Sequence, residues 1–117
     1  MHTHTVFFWL NDGLSSDAIS DFEKGLESLI MIPLVKQGFF GKPADTNRSI
    51  VERSYSYGLT LQFESIIEHD LYQTDPTHQE FVTNHSGKWK RVLIYDLETA
   101  ENKERIVFRK IHPENLR

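Results

Sequence analysis

His78 stands three positions into a helical segment that opens at Asp75-Pro76. The unpaired N–H groups of a first helical turn disfavour an imidazolium and favour a neutral ring that can accept a proton. Asp75, one turn earlier, acts in the opposite sense. Tyr72, just before the break at Pro76, brings a hydroxyl that can share or relay that proton. His4 sits in a strand on the side of Val6 and Phe8, and so can point into the same space. Together these residues suit acid–base proton transfer, with His78 as general base, Tyr72 as its hydrogen-bonding partner and His4 as a third polar group. A packing reading stands beside the catalytic one: His78 fills the contact of its helix with a sheet, Tyr72 closes the core edge and His4 lies at the rim.

Other chemistry is poorly served. His2-Thr3-His4 places two rings on one strand face, and with His85 invites a metal reading. No carboxylate or third histidine joins them at helical ligand spacing, so no metal site is assigned. Haem and flavin chemistry lack an axial-ligand setting or a dinucleotide fingerprint, and no cofactor is assigned. Gly38-Phe39-Phe40-Gly41-Lys42 is shorter than a phosphate loop and lacks the Ser or Thr after its lysine. Lys88-Trp89-Lys90-Arg91 is basic, but strand alternation divides its charges between two faces.

The elements that must position these side chains can be read in order. Val6–Leu10, preceded by His4 and Thr5, has strand composition, and Asn11-Asp12-Gly13 ends it. Ser15 or Ser16 caps a helix whose apolar face is Ile19, Phe22, Leu26, Leu29 and Ile30, with Pro33 just beyond. A second strand runs through Val35, Phe39 and Phe40. A third alternates, with Tyr55, Tyr57, Leu59, Leu61 and Phe63 on one side. Ser65-Ile66-Ile67-Glu68 is a capping box for a short helix holding Leu71 and Tyr72, and Asp75-Pro76 restarts it. His78, Phe81, Val82 and His85 share a face of the restarted segment, and a last strand covers Trp89–Leu97. The order β-α-β-β-α-β predicts an α+β, ferredoxin-like fold with a four-stranded antiparallel sheet.

The chain has 117 residues, 17 acidic against 13 basic, and no cysteine. That excludes disulfide and thiol chemistry, and the net charge of −4 argues against nucleic-acid or anionic-membrane partners. The longest apolar run, Val6–Leu10, is far too short to span a bilayer. With no leader-like segment, a cytoplasmic location is expected.

The outer strands are apolar on both faces. Phe7 and Trp9 oppose Val6, Phe8 and Leu10, while Val92 and Ile94 oppose Leu93, Tyr95 and Leu97. Two helices cover one face of such a sheet, so the other is expected to meet a second copy, giving a homodimer through the sheet face.

His4-Thr-Val-Phe-Phe-Trp-Leu, Pro33, Tyr55-x-Tyr-Gly-Leu-x-Leu-x-Phe-Glu-Ser, Leu71-Tyr72-x-x-x-Pro76-x-His78-x-x-Phe81-Val82 and Val92-Leu-Ile-Tyr-Asp96 resemble the stress-responsive α/β-barrel (Dabb) family. The resemblance implies a dimeric α+β barrel over residues 1–98, with 99–117 as a C-terminal extension. Ile106, Val107, Phe108 and Ile111 give that extension apolar content to pack on the partner. The family includes plant stress-induced proteins and a plant cyclase that makes olivetolic acid, and most bacterial members have no assigned activity. The cyclase's strand histidine and its tyrosine–histidine pair correspond to His4, Tyr72 and His78. A second tyrosine of that enzyme falls near Gly25 here, which removes a substrate-positioning hydroxyl. The expectation is a protein that binds a small apolar or aromatic ligand in a cavity lined by Phe8, Phe22, Leu26, Leu59, Leu61 and Phe81, with acid–base chemistry of cyclase or lyase type. The alternative is a non-catalytic, stress-related structural or assembly protein.

Overall fold

In the computed structural model, which describes residues 1–99, the alternation of β1 (His2–Leu10) sends His2, His4, Val6 and Phe8 to a buried face and Thr3, Thr5, Phe7 and Trp9 to the other. Gly13 (φ +79°) turns the chain after it, in a conformation that side chains rarely adopt. The Ser15 hydroxyl then caps α1 (Ser16–Ile30) by accepting from the Ala18 N–H at 3.1 Å. Strands β2 (Gln37–Gly41) and β3 (Tyr57–Phe63) follow, then α2 (Ile66–Gln73), α3 (Pro76–His85), a single 3₁₀ turn and β4 (Trp89–Glu98). The sheet is antiparallel in the order β2-β3-β1-β4. This is the ferredoxin-like arrangement, with its second helix broken in two at Pro76.

The core lies between one sheet face and the helices. Val6, Phe8, Tyr57, Leu59, Leu61 and Phe63 meet Phe22, Leu26 and Leu29 of α1, Tyr72 of α2 and Phe81 of α3. The Tyr57 hydroxyl ties β3 to α1 by donating to Glu23 Oε2 (2.7 Å), and burial with that carboxylate beside it pushes the phenol up to about 12. No helix among the described residues is long and apolar enough to cross a membrane.

Two details depart from sequence expectation. The ladder of β3 begins at Tyr57, and the chain leaves the strand just before it, where Ser56 N–H donates to Phe8 O (2.7 Å). Tyr55 therefore packs on Phe7 (ring centroids 4.8 Å apart), on the helix-free face, and not beside Tyr57 as simple alternation requires. Strand β2 starts at Gln37, so Val35 precedes it in a turn where its N–H donates to Ile32 O.

Gly25 is where α1 meets α3. A Cβ there would sit 2.7 Å from His85 Nε2 and 3.0 Å from Phe81 Cδ1. Gly-to-Ala in a helix interior ordinarily gains up to about 1 kcal/mol. Here the His85 ring is wedged against Phe81 and held by Lys88, and cannot step aside cheaply. Gly25→Ala is expected to cost about 1–3 kcal/mol net through overpacking, seen as a lower urea midpoint with unchanged slope. A gain in stability would show that the two helices separate freely.

Candidate functional site

Strand β4 forms one edge of the sheet, and the helices do not reach across it. Val92 and Ile94, opposite Phe8 and Val6 in the ladder, stay 41% and 48% exposed although they point to the helix side. The gap between this edge and α2–α3 is a cavity of about 360 Å³. Its walls are largely apolar: Val6, Phe8, Leu29, Leu59, Phe81, Val82, Trp89, Val92 and Ile94. Four polar side chains enter it, His4 from β1, Tyr72 and Gln73 from α2, and His78 from α3.

Each is placed by local structure that the sequence encodes. The Ser65 hydroxyl caps α2 by accepting from the Ile67 N–H (3.1 Å) and is also bonded to the Glu68 carboxylate. That sets the rotation of α2 so that Tyr72 is buried. Asp75 Oδ1 accepts from the Thr77 N–H (2.8 Å), and Pro76 follows as the first residue of α3, which aims His78 back at Tyr72. The two rings meet edge-on with centroids 4.8 Å apart, and His4 lies 6.3 Å from Tyr72.

Burial lowers His78 below the ordinary histidine value, with nearby His69 adding to the effect and Asp75 opposing it. The ring is therefore neutral at neutral pH and able to accept a proton. Burial, with the Asp75 charge nearby, pushes the Tyr72 phenol up, so it stays protonated and remains a donor. His4 is also lowered, by burial in the first place, against the raising effect of its hydrogen bond to Asp96. Burial pushes Asp96 up, but the hydrogen bonds donated by His4 and His2 outweigh it and leave the carboxyl below its usual range.

Of the lining expected from sequence, Phe8, Leu59 and Phe81 are in the wall. Phe22, Leu26 and Leu61 are not: α1 lies toward the β2 side of the sheet, and these three are sealed in the core beneath it with no exposed surface. Leu29, one turn further along α1, reaches the cavity instead. Val92, Ile94 and Trp89 were legible only as strand residues, because their role depends on β4 being an uncovered edge. His85, grouped above with His2 and His4, lies apart from them, against Phe22 and Phe81 with Lys88 Nζ 3.0 Å from its Nδ1. His69 and Asp96, which sequence spacing did not single out as ligand or site residues, join His2 and His4 in one cluster, and of these His4 alone lines the cavity. Residues 100–117 of the expected C-terminal extension lie outside the described residues.

His78 and His85 are both lowered from 6.5 by burial, with Asp75 opposing at the first, and Lys88 reinforcing and Asp21 opposing at the second. The unfolded chain therefore binds more protons below that value. Their contribution to stability is complete above it and is lost as pH falls through the folded-state values. A urea midpoint that drops between about pH 7 and pH 5, less steeply in His85→Gln, is the expected result. A midpoint independent of pH over that window would contradict it.

Comparison with known proteins adds to the geometry. The sequence profile of the stress-responsive A/B barrel domain matches residues 3–99. Among curated proteins no sequence matches the chain. The crystal structure of an Arabidopsis thaliana protein superposes with a TM-score of 0.72 at 26% identity, covering 86% of this chain and 97% of its own. A hydroxynitrile lyase from Passiflora edulis does so at 0.71 and 17% identity, covering 86% and 94%. A dimeric ferredoxin-like protein of unknown function from Jannaschia does so at 0.67 and 24% identity, covering 84% and 98%.

Proposed function

The chain belongs to the stress-responsive A/B barrel (Dabb) family, and from that premise we propose that its cavity binds a small apolar or aromatic carbonyl compound and that His78 and Tyr72 move a proton on it. The observation that carries this reading is the convergence of His4, Tyr72 and His78, from three different elements, on one mostly apolar space of about 360 Å³. Pockets of that size and lining suit a ligand of one or two rings, oriented by a few polar groups. In the proposed step His78, neutral because it is buried, takes the proton from the carbon beside the carbonyl. The Tyr72 hydroxyl donates a hydrogen bond to the carbonyl oxygen as negative charge develops there. Asp96 holds His4 at 2.6 Å, fixing the ring that borders the same space. The hydroxynitrile lyase neighbour, at 17% identity, puts one lyase on this fold and says nothing further about this chain.

A cavity of this kind favours binding over a purely structural, stress-related role. The test is a thermal-shift screen against aromatic acids and polyketide mimics, since a ligand that binds only the native state raises its melting point. A compound that stabilises the wild type but not a variant with the cavity filled, such as Val92→Trp, supports the reading. Hits that stabilise both equally point away from this cavity.

The reading includes a homodimer. The helix-free face carries Phe7, Trp9, Tyr55, Leu93 and Tyr95 around a depression of about 170 Å³, and Tyr95 and Leu97 are 60% and 66% exposed. A patch of that character is unusual on a monomer. The Jannaschia neighbour, described as dimeric, is consistent with a second copy covering it.

A further inference from the structure

Behind His4, where it enters the cavity, three buried imidazoles, His4 among them, surround one carboxylate. His2 and His4 alternate onto the same face of β1, Asp96 is the direct cross-strand partner of His4 on β4, and His69 comes down from α2. Asp96 Oδ1 lies 3.1 Å from His2 Nε2, 2.6 Å from His4 Nδ1 and 3.9 Å from His69 Nε2, and His69 Nε2 lies 3.2 Å from His4 Nδ1. The three histidines are between 2% and 5% exposed. A tetrahedral ion with bonds of about 2.0–2.1 Å separates its donors by about 3.3 Å; the four spacings above straddle that value, and all four donor atoms lie within 4.8 Å of one another.

The surroundings are those of a ligand set. A metal-bound histidine characteristically offers its other ring nitrogen to a carboxylate, which fixes the tautomer and aims the lone pair at the ion. His69 does this: its Nδ1–H donates to Asp70 Oδ1 (3.1 Å), which leaves the Nε2 lone pair facing the cluster, with the Gln73 amide nitrogen 3.2 Å to its side. His2 Nδ1 is buried without a hydrogen-bond partner, and its nearest carboxylate, Glu98 Oε1, stands 4.0 Å away. Proton sharing alone leaves two imidazole nitrogens, His69 Nε2 and His4 Nδ1, facing each other at 3.2 Å.

We propose that His2 Nε2, His4 Nδ1, His69 Nε2 and an Asp96 carboxylate oxygen form a tetrahedral site for a zinc-type divalent transition-metal ion. Three imidazoles and one carboxylate suit zinc or cobalt and do not suit magnesium or calcium, which demand oxygen donors. Four protein donors leave no open position, so the ion serves as a cross-link among β1, β4 and α2. It braces the otherwise uncovered β4 edge where His4 enters the cavity. The inference is independent of the chemistry proposed for His78 and Tyr72.

The experiment uses untagged full-length protein, stripped with chelator and dialysed against zinc or cobalt. The expected result is one ion per chain, a melting temperature that rises with free zinc, and the intense visible absorption of four-coordinate cobalt. His69→Ala and Asp96→Asn each abolish the cobalt spectrum, Asp70→Asn weakens zinc binding by about 10- to 100-fold, and His85→Ala changes neither. The cobalt spectrum of the wild type needs no variant to fold. Failure to bind one equivalent, a six-coordinate cobalt spectrum, or equal binding by His69→Ala overturns the proposal. Because His69→Ala leaves His78 and Tyr72 in place, ligand-induced stabilisation persists in that variant even where metal binding is lost.

Discussion

His78→Ala is expected to lower turnover of the proposed carbonyl substrate by about 10²-fold or more, the usual scale for removing an acid–base group. That corresponds to about 2.7 kcal/mol of barrier. The loss follows from geometry: within the cavity the Tyr72 and His78 rings stand edge-on 4.8 Å apart, with His4 beyond them. Tyr72→Phe keeps the ring that packs on Phe63 and removes only the donor, so the fold survives while turnover falls on the same scale. Substrate-independent detection is available by following exchange of the acidic C–H proton into heavy water by NMR, on compounds returned by the thermal-shift screen. The wild-type rate rises with pH through the lowered His78 value and is flat above it, because only the neutral ring accepts a proton. Unchanged exchange in His78→Ala removes this residue from the mechanism.

Tyr95→Asp is expected to convert the proposed homodimer into monomers. Tyr95 is exposed within its own subunit, so the substitution leaves the core untouched. Across a two-fold interface the charge enters once from each copy, and burying each carboxylate without a partner costs several kcal/mol. A rise in the dissociation constant of about 10³-fold or more is expected, read by sedimentation velocity at micromolar concentration. A wild type that already sediments as a monomer contradicts the dimer outright.

Much of this molecule was legible in its sequence, and the parts that were not share a cause. Period-2 alternation in Val6–Leu10 and Leu59–Phe63 and the helical face Phe22, Leu26, Leu29 identified the core. The caps Ser15, Ser65 and Asp75 stand where hydroxyl and carboxylate chemistry put them. Such signals are local, encoded within a turn or two of chain. The cavity is not local. Its wall depends on how far α1 lies toward β2, which took Phe22, Leu26 and Leu61 out of it and brought in Leu29, and on β4 being an uncovered edge. The histidine cluster was missed for the same reason. His69 is remote from His2 and His4 in sequence, and Asp96 joins them only through the β1–β4 register, so no spacing rule applied to one element could assemble the four. Tyr55 shows the converse error, an alternation extended past the residue where the ladder stops.

The proposed ligand is expected to sit in the space bounded by α2, α3 and the β4 edge. Methyl-labelled protein titrated with an aromatic acid from the screen tests it directly. Shifts are expected at Leu29, Leu59, Val82, Val92 and Ile94, all in the cavity wall, with Leu93 and Leu97 on the opposite sheet face unmoved. Shifts confined to Leu93 and Leu97, or a bound ligand that leaves the five wall residues still, would contradict it.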